Sequence, residues 1–470
     1  MRHITLDYIV EGTKGTLYAT DRNGRIDDVT GAAIDSRAAG EGSLFFCIIG
    51  ARRDAHDFLP DVREQGCHNV VVSDRAWADK MKALGDMNVI LVEDTTMALV
   101  NLGTKYMDDW EGLTRVAITG SVGKTSTKEF MYSVLSSRYK TGKNDGNFNS
   151  EFGIPLTCFK FAEDIEFAIN EIGLGYGLDM KYLVNIVKPD AAIITNVGTS
   201  HLEVYGSREK LRDAKLRITT ALKKGGTLVV NSDCDMLKPD QVRANACGEF
   251  NLITVGSNDE ADYRISEICD NGIDGVQCKL EINGHKNSYK LVLPVIGAHN
   301  LYNAALTLAV SGVYGVETED AIAALANTES NDNRLDVRRG SMYTVINDCY
   351  NASPESMKAG IDIVMHSNAK RRGVILGDMF ELGDNSRELH ASVGTYAAVN
   401  GIDYVVTIGE NSLAIAEAAL EARPEMLVVS YATRDEAVDN IESIMEPGDV
   451  VLVKASRAMA LEVLSDAISH

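Results

Sequence analysis

The sequence predicts an α/β protein built as three domains, and three observations lead there. At 470 residues the chain is too long for a single hydrophobic core. Its 45% hydrophobic and 24% charged residues are the composition of an ordinary globular protein. Short, near-continuous apolar runs recur along it with helical or loop stretches between them, the pattern of mostly parallel sheets covered by helices.

Residues 1–112 open with short β-like runs. They continue through "VVVSD" to "NVILVEDTTMALVNLG", a strand leading into a helix with Asp94 and Thr95 near its N-cap. This is a small α/β domain. From 113 to 328, the runs "VAITG", "FAINEIG", "AAIITNVG", "GTLVVNSD" and "LITVGS" are strand candidates of a mostly parallel sheet. The stretch 262–294 alternates more strongly and carries Asn283-Gly284, a hairpin signal, so it adds antiparallel strands. From 329 to 470 the α/β rhythm returns in "YTVINDCYN", "GVILGDM", "YVVTIGE", "MLVVSYA" and "DVVLVKA", a Rossmann-like third domain.

A net charge of −22 repels polyanions, and no basic block interleaved with aromatics offers a nucleic-acid groove. Nucleic acid and anionic membrane surfaces are therefore excluded as general partners. No apolar run reaches membrane-spanning length, and "MRHITLDYIVEG" places Arg2, His3 and Asp7 where a signal peptide would be apolar. Eight cysteines without a C-x-x-C pair or a dense cluster suit reduced thiols. A cytoplasmic protein, and a monomer, is expected.

The most informative stretch is "VAITGSVGKTSTKEF", residues 116–130. Residues 115–119 are β-branched and apolar enough for a buried strand, and 125–135 reads as a helix after the glycines. Gly120 and Gly123 let backbone N–H groups turn toward an anion, Lys124 reaches β/γ-phosphate oxygens, and the Thr125 hydroxyl suits Mg²⁺. The spacing G-S-V-G-K-T is shorter than the common phosphate-loop pattern. The alternative is an ordinary glycine turn capped by a hydroxyl, but Gly-Lys-Thr directly after a β-run favours ATP. The central domain is thus expected to be P-loop ATPase-like.

Glu171 ends the next candidate strand, and His201 lies just beyond the one after it. Both fall at the carboxyl edge from which the loop springs, where ligands gather on open parallel sheets. Each alone reads equally as a satisfied polar group; the shared edge favours metal. In "GSREKLRDAKLRITTAL" the apolar positions Leu211, Ala214, Ile218 and Leu222 keep helical spacing, and Lys215 falls within that stripe. It either snorkels, with its stem on the core and its ammonium in water, or is desolvated with a lowered pKa, able to add CO₂ and ligate Mg²⁺ as a carbamate.

Together "TGSVGKT", "GNFNSEFGIPLT", "NEIG", "TNVGTSHLEVYGSREKLRDAK", "GAHNLYNA", "RLDV", "NDCYNASPESM", "LGDMFELG" and "VKASR" resemble the Mur ligases of peptidoglycan synthesis. The match runs through all three expected domains in the family's order. The resemblance implies ATP-dependent amide-bond formation through an acyl phosphate. "DCYNASPESM" and "LGDMFELG" look like the members whose substrates are UDP-N-acetylmuramoyl-tripeptide and D-alanyl-D-alanine. It implies a UDP-sugar-binding first domain, an ATP-binding central domain and a third domain for the incoming dipeptide.

Residue by residue, the resemblance implies that Gly120, Ser121, Gly123, Lys124, Thr125 and Ser126 cradle the nucleotide, with Asn300 and Asn303 against it. Arg334 and Asp348 then contribute from across the cleft. Thr125, Glu171, His201 and a carbamylated Lys215 attend two Mg²⁺, with Lys124, His201 and Lys215 acting in catalysis. Asn147 and Asn149, and Ser36 and Arg37 of the "DSR" turn, face substrate; without the resemblance that turn reads as a charged turn before "GSLFFCIIG". Three positions depart from the family pattern: Ser150 for an asparagine, and Ala455 and Ala55 for glycines. None removes a metal or phosphate ligand, so substrate detail is affected more than reaction type. The rivals are a related amide ligase with another acceptor and a nucleotide-binding regulator without catalysis.

Overall fold

The computed structural model describes residues 4–21, 29–174, 177–328 and 334–469, and the chain forms three sheets in succession. The first takes in the strands Thr16–Ala19, Gly31–Ala33, Ser43–Phe46, Asn69–Val72 and Asn88–Leu91, parallel except where Thr16–Ala19 pairs antiparallel at one edge. The expected strand-to-helix passage is there: Asn88–Leu91 leads to the helix Thr95–Asp108, whose N-cap Asp94 accepts from the backbone of Thr96 and Met97.

The second sheet has nine strands. Thr114–Thr119 lies between Phe167–Glu171 and Ala191–Ile194, all parallel, so the carboxyl ends of three strands meet at one edge. Beyond Asn251–Gly256 the strands Tyr263–Asp270, Val276–Ile282 and Ser288–Leu293 form the antiparallel extension. Its hairpin pairs Glu281 with Ser288, so Asn283-Gly284 begins a longer connection and is not itself a two-residue turn. The third sheet runs Asp336–Arg339, Thr344–Asn347, Asp449–Lys454, Arg371–Gly377, Tyr404–Ile408, Leu427–Tyr431, parallel after its first antiparallel pair. The boundary expected after 328 falls beside residues outside the described set.

Each of the first two sheets has a cluster of its own on one face, and on the other they share a core. Apolar residues of the helices Leu6–Thr13 and Thr95–Asp108 belong to one buried cluster with those of the central helices Gly153–Lys160 and Met180–Val187. Tyr106 meets Phe159 edge-on, with ring centroids 5.2 Å apart. Buried Arg115 fastens the joint, its guanidinium donating to the carbonyls of Met107, Trp110 and Val187. The third sheet has its own clusters on its two faces. It meets the central unit across a cleft.

Candidate active site

The phosphate loop forms as its sequence requires. Lys124–Ser136 is a helix whose N-cap, Gly123, has φ +85°, and Gly120 has φ +153°. A Cβ on Gly120 would lie 1.8 Å from Thr195 Oγ1, and one on Gly123 would lie 2.7 Å from Asn303 Oδ1. Neither position has room for a side chain. Asn196 Oδ1 accepts from the N–H groups of Ser121 and Val122 at 3.1 and 2.9 Å, and Ser121 Oγ accepts from Gly198 N at 2.9 Å. The turn is thereby held against the neighbouring strand end. Lys124 Nζ lies on the carbonyls of Gly120 and Ser121, at 2.9 and 3.1 Å. Burial pushes its pKa down, the charge of Glu171 opposes that, and Arg334 adds to it.

Glu171 is the centre of the polar arrangement under the loop. Its carboxylate, 2% exposed, accepts from Thr125 Oγ1 at 2.8 Å and from Asn149 Nδ2 at 2.8 Å. Its backbone N–H donates to Asn144 Oδ1 at 2.8 Å. Lys128, 1% exposed and one turn beyond Lys124, donates to Asn144 O at 2.8 Å and Gly146 O at 3.3 Å. Lys128 and Asn144 thus fix the loop that carries Asn147 and Asn149. A carboxylate beside a hydroxyl, opening on a cavity, is the donor set with which Mg²⁺ joins a nucleotide, since that ion keeps waters and phosphate oxygens for its other positions. Among the described residues no group of three or more His, Cys, Asp or Glu gathers as a metal site of its own.

A cavity of about 830 Å³ lies between the central and third units. Ser121, Gly123, Lys124, Thr125, Ser126, Asn147, Asn149, Glu171, His201, Asn300 and Asn303 line it from one side, and Arg334 and Asp348 from the other. Asn300 accepts from Asn303 Nδ2 at 3.0 Å and donates to Ile296 O at 2.8 Å, so the pair presents a fixed edge. Arg334 stacks on Tyr350, its guanidinium carbon 3.7 Å from the ring centroid. Buried Lys454 joins Asp348 at 2.5 Å and Asn351 O at 2.8 Å. His201, in the left-handed conformation at φ 64°, reaches Glu381 of the third unit.

Three candidates stand elsewhere. Lys215 does not snorkel: it is 1% exposed on the helix Arg208–Leu216, is not among the residues that line the cavity, and no hydrogen bond or ion pair engages its ammonium among the described residues. Burial drives its pKa well below the ordinary lysine range, and the charge of Lys124 pushes the same way. Ser36 and Arg37 sit in an exposed 3-10 turn of the first unit, outside this cavity. Arg37 pairs with Asp35 at 2.6 Å and holds that carboxyl down to about 2.

Sequence reasoning did not single out Lys128, Asn144, Asn196, Glu355, Glu381 or Lys454. Lys454 carried a signal, because it ends a strand adjacent to the one that delivers Asp348. The others act through backbone groups or across the cleft, and residue type alone does not betray that.

The model of the Mur ligase middle domain matches residues 118–311, and that of the Mur ligase glutamate ligase domain matches 333–457. The UDP-N-acetylmuramoyl-tripeptide–D-alanyl-D-alanine ligase of Bacillus subtilis is 34% identical over 460 residues, covering 97% of this chain and 96% of its own. The enzyme of that name from Escherichia coli is 28% identical, covering 100% of this chain and 99% of its own. Among solved structures, MurF from Acinetobacter baumannii superposes with a TM-score of 0.87 at 26% identity, with full coverage of both chains. MurF from Thermotoga maritima in complex with ADP gives 0.81 at 25% identity, covering 94% of this chain and 98% of that one.

Proposed function

Because the chain belongs to the Mur ligase family, we propose that it joins D-alanyl-D-alanine to UDP-N-acetylmuramoyl-tripeptide at the expense of ATP, in peptidoglycan precursor synthesis. The observation that carries this reading is the shared cavity, where a phosphate loop and Glu171 from one unit face Arg334 and Asp348 from another. Residues 1–112 are the UDP-sugar domain with Ser36 and Arg37 as its contacts, 113–328 the ATP domain, and 329–470 the domain that receives the dipeptide.

The tripeptide's terminal carboxylate is a poor electrophile. Attack by one of its oxygens on the γ-phosphorus of ATP gives an acyl phosphate and ADP; the dipeptide's amine then attacks the acyl carbon, and phosphate leaves as the amide forms. This chain neutralises and aligns. The loop N–H groups and Lys124 take the phosphate charge, Arg334 adds a second cation, and Asn147 and Asn149 flank the acyl end. Thr125, Glu171, His201 and Lys215 as its carbamate would hold two Mg²⁺, which supply charge that steadies the phosphate oxygens. The working state in this reading is a monomer. No described helix is long and apolar enough to cross a membrane, and the cysteines are free thiols, which supports a cytoplasmic location.

The test is product formation with D-alanyl-D-alanine and tripeptides ending in lysine or diaminopimelate, ¹⁸O-labelled in the terminal carboxylate. ADP and labelled inorganic phosphate, released only when both substrates are present, are expected. Labelled AMP with pyrophosphate would overturn the acyl-phosphate route, and turnover with glutamate in place of the dipeptide would move the chain to another branch of the family.

A further inference from the structure

The segment 198–203, which carries His201 to the cavity, is gripped by two carboxylates that belong to the third unit. Glu355 Oε2 accepts from Thr199 Oγ1 at 3.1 Å, and a Cβ on Gly198 would lie 3.0 Å from the Glu355 carboxyl carbon. Glu381 Oε2 lies 2.6 Å from His201 Nδ1. That nitrogen is buried and makes no aligned hydrogen bond, and the Glu381 carboxylate is the acceptor set beside it. The backbone agrees with the side chains. His201 and Glu381 both have φ of 64°, a conformation that bulky residues keep only where the surroundings over-determine it, and they meet each other across the cleft. Gly383, also at φ +64°, passes so close that its Cβ would lie 3.3 Å from Glu203 Cα.

We propose that Glu381 is a positioning residue: its carboxylate holds the His201 proton on Nδ1 and leaves the Nε2 lone pair for the cavity. A histidine that ligates a metal through one nitrogen is commonly oriented by an acceptor on the other. Here the acceptor comes from a different unit, so His201 takes its working tautomer only when the third unit is seated. The inference rests on the reading of His201 as a site residue, but its first test does not use turnover.

The full-length protein, free of nucleotide and metal, is compared with Glu381→Ala and Glu381→Gln by ¹⁵N–¹H spectra of the histidine rings, with His201→Gln identifying the signals. In the native chain the His201 proton is expected on Nδ1. In Glu381→Ala it should redistribute toward Nε2; Glu381→Gln, which keeps an acceptor oxygen, should lie between. The Glu381 side chain is 42% exposed, so both variants should fold, as a melting curve verifies. In turnover, Glu381→Ala is expected to lose about 10–100-fold in kcat with little change in KM for the UDP-tripeptide. Unmoved ring signals would overturn the proposal whatever kcat does, and moved signals with a native kcat would also do so. A protein that failed every ligase assay yet showed the ring shift would sink the function reading and leave the contact standing.

Discussion

Replacing Lys215 by methionine should make the protein more stable and inactive. The residue is 1% exposed, no hydrogen bond or ion pair engages its amine among the described residues, and the charge of Lys124 adds repulsion. Burial disfavours its charged form, so its folded pKa lies well below 10.5. The sign follows from proton counting. Between the folded pKa and 10.5 the unfolded chain binds the proton and the native one does not, so native stability rises with pH through that window. Below the folded pKa the full cost is present; above 10.5 it vanishes.

Each pH unit of depression costs about 1.4 kcal/mol. Methionine fills a similar volume without an amine, and apolar replacement of buried charged groups gains about 1–4 kcal/mol when it is favourable. For a unit of this size each kcal/mol moves Tm by about 2–4 °C. Thermal melts of the native protein and Lys215→Met, in CO₂-depleted buffer to keep the amine uncarbamylated, should therefore separate most near neutral pH and converge as pH approaches 10. Turnover in bicarbonate should be lost in the variant, and Lys215→Ala should regain part of it with a small added carboxylate. A variant less stable than the native protein at every pH would refute the claim that this lysine is desolvated without compensation.

Lys124→Ala should fold normally, since among the described residues Lys124 bonds only to the carbonyls of Gly120 and Ser121, yet lose about 10²–10³-fold or more in kcat, as removal of one transition-state donor does; near-native turnover would remove Lys124 from the phosphate. Tyr350→Phe should keep the stack under Arg334, whereas Tyr350→Leu should lose about 0.5–1 kcal/mol of it, read as a several-fold rise in KM for ATP; equal effects of the two would assign Tyr350 to its hydroxyl instead.

Legibility in the sequence followed a physical divide. The strand Thr114–Thr119 and the helix Lys124–Ser136 lie within a residue of the expected 115–119 and 125–135, because apolar runs and special-φ glycines are local signals. Glu171 was legible for a related reason: a parallel sheet gathers strand ends at one edge. Asp348 came only through the family resemblance. Periodicity left Lys215 undecided, because a stripe shows which face is buried and says nothing of how deep. The core shared by Thr95–Asp108 and the central helices was hidden in the same way, since amphipathic spacing does not name the partner surface. Asn144 and Lys128 left no trace, because their hydrogen bonds across the fold go to backbone.

The contacts least legible of all, His201 with Glu381 and Thr199 with Glu355, are those that depend on how two units sit together. They also bear most directly on when chemistry begins. An acyl phosphate is lost if water reaches it before the amine does. With Lys124 and Glu171 on one unit and Arg334 on the other, neither unit alone assembles the charges that stabilise phosphoryl transfer. The carboxylates beside the His201 segment come from the unit that carries Arg334, so on the proposed reading the placement that seats this histidine is also the one that delivers the second cation. On the proposed reading, in which the third unit receives the dipeptide, activation is thereby tied to the state in which that unit already closes the cavity.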